Sequence, residues 1–403
     1  MAKEKKVSRK DSKGRVLRKG ESERKDGTYM YRYMDERKKR KSVYAKTLPE
    51  LREKALRIER DRLDDIRLST DYTVDQLVKL YFSLCQNPNT TAITSRITNQ
   101  NAYKNHIKNS WLANKKIKEV KHSDITLFYN ELSKKIKNNT IAIVHKVLSQ
   151  SFKIALDDQM IRTNPASGAL KMFPRDSAPK DILTQQQLDD LITYTKNSTI
   201  YYRWYPLIVV LAETMIRGGE LCGLTWDDVD LKNKIIKIDH QIQYKQIDGK
   251  YTLFACPPKT KKGYRNIPLT TNAYKAFIKQ KEFQLSLNLR STMIVDGYHN
   301  FVFPTKRGKP NHIILIDNML RNLENRYNTE HKENPIPHLS CHVFRHTGCA
   351  LTAKKMFKLG LDPIILQQWM GHSSLKMTLE LYNHALESDY FEAINQINNL
   401  SLS

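Results

Sequence analysis

The chain has 403 residues, too many for one compact domain and suited to two or three. Its 68 Lys and Arg outnumber 42 Asp and Glu for a formal net charge of +26; self-repulsion of that size opposes a compact fold unless a polyanion is bound, so nucleic acid is the first partner to consider. There is no run of 18 apolar residues, no hydrophobic core in the opening MAKEKKVSRK, and neither a CxxC pair nor metal-ligand spacing among Cys85, Cys222, Cys256, Cys341 and Cys349, which excludes a membrane span, a secreted disulfide scaffold and a cysteine-held metal, and leaves a soluble intracellular chain with reduced thiols.

Residues 1–46 are the most basic block, with 18 Lys and Arg against 7 Asp and Glu. Within it GTYMYRYMD and KSVYAKT predict a small sheet of two or three strands, with Asp26-Gly27 as a turn and DERKKRK as a charged link. Tyr29, Tyr31 and Tyr33 alternate, so one face of this basic sheet can lie in a major groove, with Arg32, Lys38, Lys39, Arg40 and Lys41 as the DNA-contacting cations. Residues 1–22 fit a disordered basic tail better than strands. LPELREKALRIERDRLDDI, residues 48–66, predicts an amphipathic helix packed on the sheet or spacing it from the next domain.

From 72 to about 170 the pattern is helical throughout. Thr73 caps VDQLVKLYFSLC, whose Val74, Leu77, Leu80, Tyr81 and Leu84 form one stripe, and further stripes run through ITLFYNELSKKI and TIAIVHKVLSQSFKIALDDQMI, predicting a bundle of about four helices. Lysines on its polar faces, Lys104, Lys115 and Lys116 among them, would be a solvated surface on a neutral protein; on a chain of this charge phosphate contacts are favoured. Prolines, glycine and serines in NPASGALKMFPRDSAPKDILT, residues 164–184, then replace the periodicity and read as linker, and Thr184 with Gln187 opens a new domain in capping-box spacing. The expected domains are 1–70, 71–170, a linker at 171–183, and 184–403.

In the last domain the apolar helix YPLIVVLAETMIRGGELCGLTWDDVDL places Arg217 at its end beside Gly218-Gly219. KIIKID and YTLFACPPKTKKGYRNIPL predict a β-sheet with Asp248-Gly249 as a hairpin turn and Lys259 at the mouth of a later turn, where Lys261 or Lys262 could serve instead. Then CHVFRHTGCALTAKKMFKLGLDPIILQQWMGHSSLKMTLELYNHAL brings His342 and Arg345 at i, i+3, Gly371-His372, and Tyr382 ten residues later. Residues three apart on a helix share a face, so His342 and Arg345 can address one small anion. Histidine passes protons near neutral pH, arginine grips phosphate bidentately, and tyrosine can form a covalent intermediate; each residue alone has an ordinary surface or capping explanation, but together they suggest phosphoryl transfer without a metal.

With Arg217 in TMIRGGELCGLTW, Lys259 in PKTKKGYRNIPL, His342 and Arg345 in HVFRHT, His372 in MGHSS and Tyr382 in LELYNH, the chain resembles the tyrosine recombinase, or phage integrase, family, and its layout is most similar to integrases of conjugative transposons. Met215 departs from the pattern, since the family commonly has glycine there. The resemblance implies a multidomain α+β protein: a small basic N-terminal β-sheet domain for arm-type DNA sites, a helical core-binding domain, and a mainly α catalytic domain with a small antiparallel sheet. It implies site-specific integration and excision of a mobile element without cofactor, metal or ATP. Tyr382 would attack a DNA phosphodiester to form a 3′-phosphotyrosyl link, Arg217 and Arg345 would clamp the non-bridging oxygens, and His342 would accept the tyrosine proton or hold the phosphate. His372 would donate to a phosphate oxygen, and Lys259 would protonate the departing 5′-oxygen. It further implies double-stranded DNA with core and arm sites as substrate, a tetramer on DNA whose apolar tail HALESDYFEAINQINNL docks on the neighbouring protomer, an excisionase and a DNA-bending protein as partners, and a cytoplasmic, nucleoid-associated location. A single-protomer topoisomerase would use nearly the same residues, but a separate basic N-terminal unit suits an enzyme that bridges distant sites. A non-catalytic DNA-binding regulator would leave the six-residue constellation an accident.

Overall fold

The computed structural model describes residues 9–63, 66, 71–85, 92–174, 176, 182–247, 249–371, 374, 375 and 379. The chain divides into two compact units, Met1–Ser177 and Ala178–Ser403.

The first unit begins with strands β1 (Glu21–Glu23), β2 (Tyr29–Met34) and β3 (Arg40–Ala45), an antiparallel sheet in the order β1-β2-β3. Helix α1 (Leu48–Leu63) comes next; residues 64 and 65 of the helix expected over 48–66 lie outside the described residues. Residues 9–22 are not a tail. Asp11 accepts from Arg15 Nε at 2.7 Å and from the Tyr29 hydroxyl at 3.0 Å, and Glu21 accepts from Arg52 Nε on α1 at 3.1 Å. Asp35, also buried, accepts the backbone N–H groups of Arg37 and Lys39. These acids serve as internal counterions and turn caps, which is how so basic a segment folds and why its outer surface is more basic still.

The register shows which face of the sheet is free. Tyr29 pairs with Ala45, Tyr31 with Val43 and Tyr33 with Lys41, so the three tyrosines share a face with Ala45 and Val43. That face packs on α1: Leu48 and Leu51 are buried with Tyr29 and Ala45, and the Tyr31 hydroxyl donates to Glu59 at 3.0 Å. The opposite face carries Arg32, Met34, Arg40, Ser42 and Tyr44, with the Arg24 guanidinium 5.2 Å from the centre of the Tyr44 ring. Lys38 and Lys39 are exposed in the turn, whereas Lys41 lies on the helix side and is half-buried.

The same unit continues with α2 (Val74–Leu84), α3 (Ile93–Ala102), α4 (His122–Ser133) and α5 (Asn138–Asp157). Thr73 caps α2 in a full capping box with Gln76, and Val74, Leu77, Val78 and Tyr81 bury the stripe, while Leu84 is exposed past its end. Their core is shared with Ile141, Val144, Leu148 and Phe152 of α5. The first half of the stretch read as linker is built into this core, because Ala166, Ala169 and Phe173 are buried there and the Phe173 ring meets Tyr129 edge-on at 5.8 Å. Its proline and glycine shape a packed turn instead of loosening the chain. Lys104 is exposed, but Lys115 is ion-paired to Asp124 at 2.7 Å and Lys116 to Asp71.

The second unit opens with α6 (Gln185–Asn197), capped by Thr184 and Gln187 as the spacing predicts. The apolar run expected as one helix is two: α7 (Tyr205–Thr214) ends in a left-handed residue, and α8 (Gly218–Gly223) starts after Arg217. Strands β4 (Val229–Asp230) and β5 (Ile235–Ile238) are followed by a hairpin of β6 (Gln241–Ile247) and β7 (Lys250–Cys256), and then by β8 (Arg265–Pro268). The antiparallel sheet runs β4-β5-β8, and β6-β7 stands apart from it as a two-stranded ribbon. Gly249, at φ +84°, supplies the turn; Asp248 lies outside the described residues. Helices α9 (Thr271–Ser286), α10 (Ile313–Glu330), α11 (Cys341–Lys358) and α12 (Pro363–Met370) complete it around a core that includes Leu207, Leu211, Ile236, Phe277, Leu320 and Phe344. Among the described residues no helix is long and apolar enough to cross a membrane.

Candidate active site

Arg217 is the N-cap of α8, extended at φ −70°, ψ 148°, rather than the last residue of a long helix. Its backbone N–H donates to Glu220 Oε2 at 2.8 Å and its Nη1 to Glu220 Oε1 at 2.7 Å, so the carboxylate three residues on fixes both ends of the residue. Nη2 donates to the Gly371 carbonyl at 3.2 Å, and the side chain is 36% exposed, which leaves it open to a ligand.

Arg345 is held differently. It lies on α11 and is 3% exposed, with Nη1 donating to Met215 O and Nη2 to Met370 O, each at 2.6 Å. Burial, together with the charges of Arg217 and Arg265, lowers its pKa to about 9 against the opposing pull of Glu220, so it remains a cation at neutral pH but a costly one. Glu220 is the counterion at the centre. Burial raises its pKa, but hydrogen bonds and charge from Arg265, with Arg217, override this and hold it at about 2. Arg265 donates from Nη1 and Nη2 to Glu220 at 3.1 and 2.8 Å. Two guanidiniums thus pair with one carboxylate, and the buried third, Arg345, lies close enough to feel the charge of all three groups. The excess positive charge, partly desolvated, is what a phosphodiester would neutralise.

His342 stands on the exposed side of α11, one turn before His346, with ring centres 5.9 Å apart. Its sequence partner Arg345 points inward, so the pair differ in depth although they share a helix. Lys259, Lys261 and Lys262 are all exposed between β7 and β8, the last two in a short 3-10 turn. A Cβ on Gly371 would come within 2.9 Å of Lys262 O, so this turn presses against the end of α12. His372, Tyr382 and the apolar tail lie outside the described residues.

Glu220 and Arg265 were not assigned roles from sequence. The Arg-x-x-Glu spacing of a capping box was a usable signal for Glu220; nothing local marks Arg265, whose side chain reaches partners 45 and 104 residues away as well as the Gly263 carbonyl. At the far end of α8, Asp228, Asp239 and His240 bring three potential metal-ligand atoms within 4.8 Å of one another. Those atoms are engaged already: His240 contacts Asp239 Oδ1 at 2.6 Å and Gly223 O at 2.8 Å, Lys237 pairs with Asp239 at 2.7 Å, and Asp228 caps Thr225.

Met215 has φ 54°, a left-handed conformation that costs a side-chain residue about 1 kcal/mol and glycine nothing. Its side chain nevertheless fills a cluster with Cys349, Ala353, Met356, Leu366 and Met370. Removing a buried methionine costs about 2–5 kcal/mol, so Met215→Gly is expected to lose roughly 2 kcal/mol net despite the relieved backbone. Urea denaturation reads this; a stabilised variant would mean that strain outweighs packing.

Residues 181–389 match the model of the phage integrase family. The chain belongs to that family. It is a tyrosine recombinase, an enzyme of DNA strand cleavage and rejoining. Residues 5–62 separately match the DNA binding domain of Tn916 integrase. The transposase from transposon Tn916 of Enterococcus faecalis is 31% identical over 97% of this chain and 96% of its own length. The Tn1549 transposon integrase, solved in complex with transposon right end DNA, is 28% identical with a TM-score of 0.70 over 81% of this chain and 100% of that one. A lambda integrase tetramer on a Holliday junction, at 14% identity and TM-score 0.52, shares the fold.

Proposed function

We propose that this chain is the site-specific integrase of a conjugative transposon, cutting core-site DNA through a 3′-phosphotyrosyl link to Tyr382 and rejoining it to a second 5′-hydroxyl. The observation that carries the site assignment is the buried cation Arg345 beside Arg217 and Arg265, of which only the latter two pair with Glu220, a cluster with more positive than negative charge. Arg217 and Arg345 clamp the two non-bridging oxygens and stabilise the charge that builds at the pentacoordinate phosphorus. Tyr382 attacks with His342 taking its proton or holding the phosphate, His372 donates to a phosphate oxygen, and Lys259 protonates the 5′-oxygen as it leaves. The phenol, of ordinary pKa about 10, is ionised only about one part in a thousand at pH 7, a deficit of about 4 kcal/mol that these positive groups offset. The link conserves the free energy of the phosphodiester, so no ATP enters.

Residues 1–70 form the arm-binding domain, 71–170 with the packed turn through Phe173 the core-binding domain, and 184–403 the catalytic domain, joined by the remainder of the 171–183 linker. The sheet presents Arg32 and Arg40 to the major groove on the face away from α1, with Lys38 and Lys39 on neighbouring phosphates; Lys104, Lys115 and Lys116 contact core DNA. The enzyme works in the cytoplasm as a tetramer on DNA, with the tail after Tyr382 docked in trans, an excisionase setting direction and a DNA-bending protein bringing arm and core together.

Strand exchange between two duplexes tests this function. The full chain is expected to join them, whereas relaxation of supercoils without joining would indicate a topoisomerase. Because α1 packs on the sheet, the informative truncation removes residues 1–63: arm-site affinity should fall by about two orders of magnitude at moderate salt while core-site cleavage persists, since the lost groove and phosphate contacts are all to arm-site DNA. A truncated protein unable to cleave core DNA would contradict the division of labour.

A further inference from the structure

The last turn of α12 ends in three consecutive carbonyls, and each accepts from a different arginine. Trp369 O accepts from Arg265 Nε at 2.8 Å, Met370 O from Arg345 Nη2 at 2.6 Å, and Gly371 O from Arg217 Nη2 at 3.2 Å. Carbonyls at a helix C-terminus lack intrahelical partners and carry the negative end of the helix dipole, so cations are favoured there. On the function proposed above, on which this inference rests, two of these arginines are the phosphate clamp. The third differs from them: Arg265 has a side chain only 6% exposed, and all three of its nitrogens are committed to protein, Nε to Trp369, Nη1 to Glu220 and Gly263 O, and Nη2 to Glu220. It has no face left for DNA.

We infer that Arg265 is a positioning residue of the cleavage reaction, tying the carboxylate that orients Arg217 to the helix end from which the chain runs on to His372 and Tyr382. Its planar fork allows this. Both η nitrogens meet the two oxygens of Glu220 side by side while Nε, a bond away on the same plane, reaches the carbonyl of Trp369. Glu220 then holds Arg217 by backbone and side chain. The turn after α12 is pressed on the same residue, since a Cβ on Gly371, at φ +63°, would lie 3.1 Å from Arg265 Cδ. Clamp and helix end are therefore set by one group that itself touches neither phosphate nor leaving group. Lysine keeps the charge beside Glu220 but offers one point where three directions are needed.

The test is single-turnover cleavage of a nicked core-site duplex by the full chain carrying Arg265→Lys or Arg265→Gln. Cleavage should slow about 10-fold for lysine and about 100-fold for glutamine, with core-site affinity within about twofold of the parent, as displacement of a reacting group by about an ångström does. If the glutamine variant fails to fold, the lysine variant, which retains the buried cation, decides. The same rates are read on a substrate with sulfur in place of the 5′-bridging oxygen: as the tyrosine O–P bond forms and the P–S bond breaks, thiolate leaves with the electron pair and needs no proton. A defect in clamp and nucleophile geometry persists on that substrate. Parental rates in the folded variants, losses of rate matched by equal losses of affinity, or recovery of the rate on the sulfur substrate would each overturn the assignment, the last by moving Arg265's influence to the lysine hairpin.

Discussion

Arg217→Lys is expected to slow cleavage of core-site DNA by about 10³-fold, near 4 kcal/mol of transition-state stabilisation, while leaving DNA affinity within a few-fold of the parent. The N-cap geometry is why the loss falls on the chemistry. Glu220 already fixes the residue's backbone and Nη1, and the 36% of the side chain left exposed is the part a phosphate oxygen can reach. A lysine can pair with Glu220 or reach the phosphate, but it cannot do both with two parallel bonds. DNA affinity is carried by many distributed phosphate contacts and scarcely registers one of them. Single-turnover rates beside equilibrium binding separate the two, and equal losses in both would remove Arg217 from the transition state. Arg345→Lys is a different experiment, because losing either of two 2.6 Å bonds from a buried guanidinium strands a carbonyl and lowers stability as well.

The largest effect on stability is expected at Glu220→Ala, about 3–5 kcal/mol, because it leaves the buried Arg265 without its carboxylate partner and takes from the buried Arg345 a nearby negative charge that favours its cation. The same carboxylate sets an acid limit. Its folded-state pKa of about 2 is depressed below the ordinary 4.5, so its contribution, of order 3 kcal/mol, is complete above about pH 4.5 and is lost as pH falls toward 2. Urea denaturation of the parent between pH 6 and 3 should show a fall in stability that is smaller in Glu220→Ala; identical slopes would mean that another carboxylate governs the acid transition.

How much of this was legible in the sequence depends on how local each feature is. The capping boxes at Thr73 and Thr184 and the buried stripe of α2 as far as Tyr81 rest on residues within a turn of each other, and they stand where spacing puts them, while Leu84 at the helix end is exposed. The division of one apolar run into α7 and α8 was not readable, because a methionine in the left-handed region leaves no mark in composition and is held there by α11 and α12. Alternation identified the faces of the N-terminal sheet but not which one is covered; that was decided by Leu48 and Leu51 of the next helix. Charge counting makes residues 1–22 a tail because it cannot see that Asp11 and Glu21 neutralise neighbouring arginines from within. Within the site, motif spacing pointed to Arg217 and Arg345, and only the folded chain adds the buried Glu220 that holds Arg217, the Arg265 that holds Glu220, and the carbonyls of Met215 and Met370 that hold Arg345.

The central claim is that Tyr382 is the nucleophile of a metal-free strand transferase, and trapping of the covalent intermediate tests it most directly. On a core-site duplex nicked so that the cleaved fragment diffuses away, the full chain should accumulate a protein-DNA adduct in the presence of chelator, with the DNA held through its 3′-phosphate, and Tyr382→Phe should bind the same duplex with unchanged affinity and form none. An adduct that persists in Tyr382→Phe, or that disappears when divalent metal is removed, would contradict it.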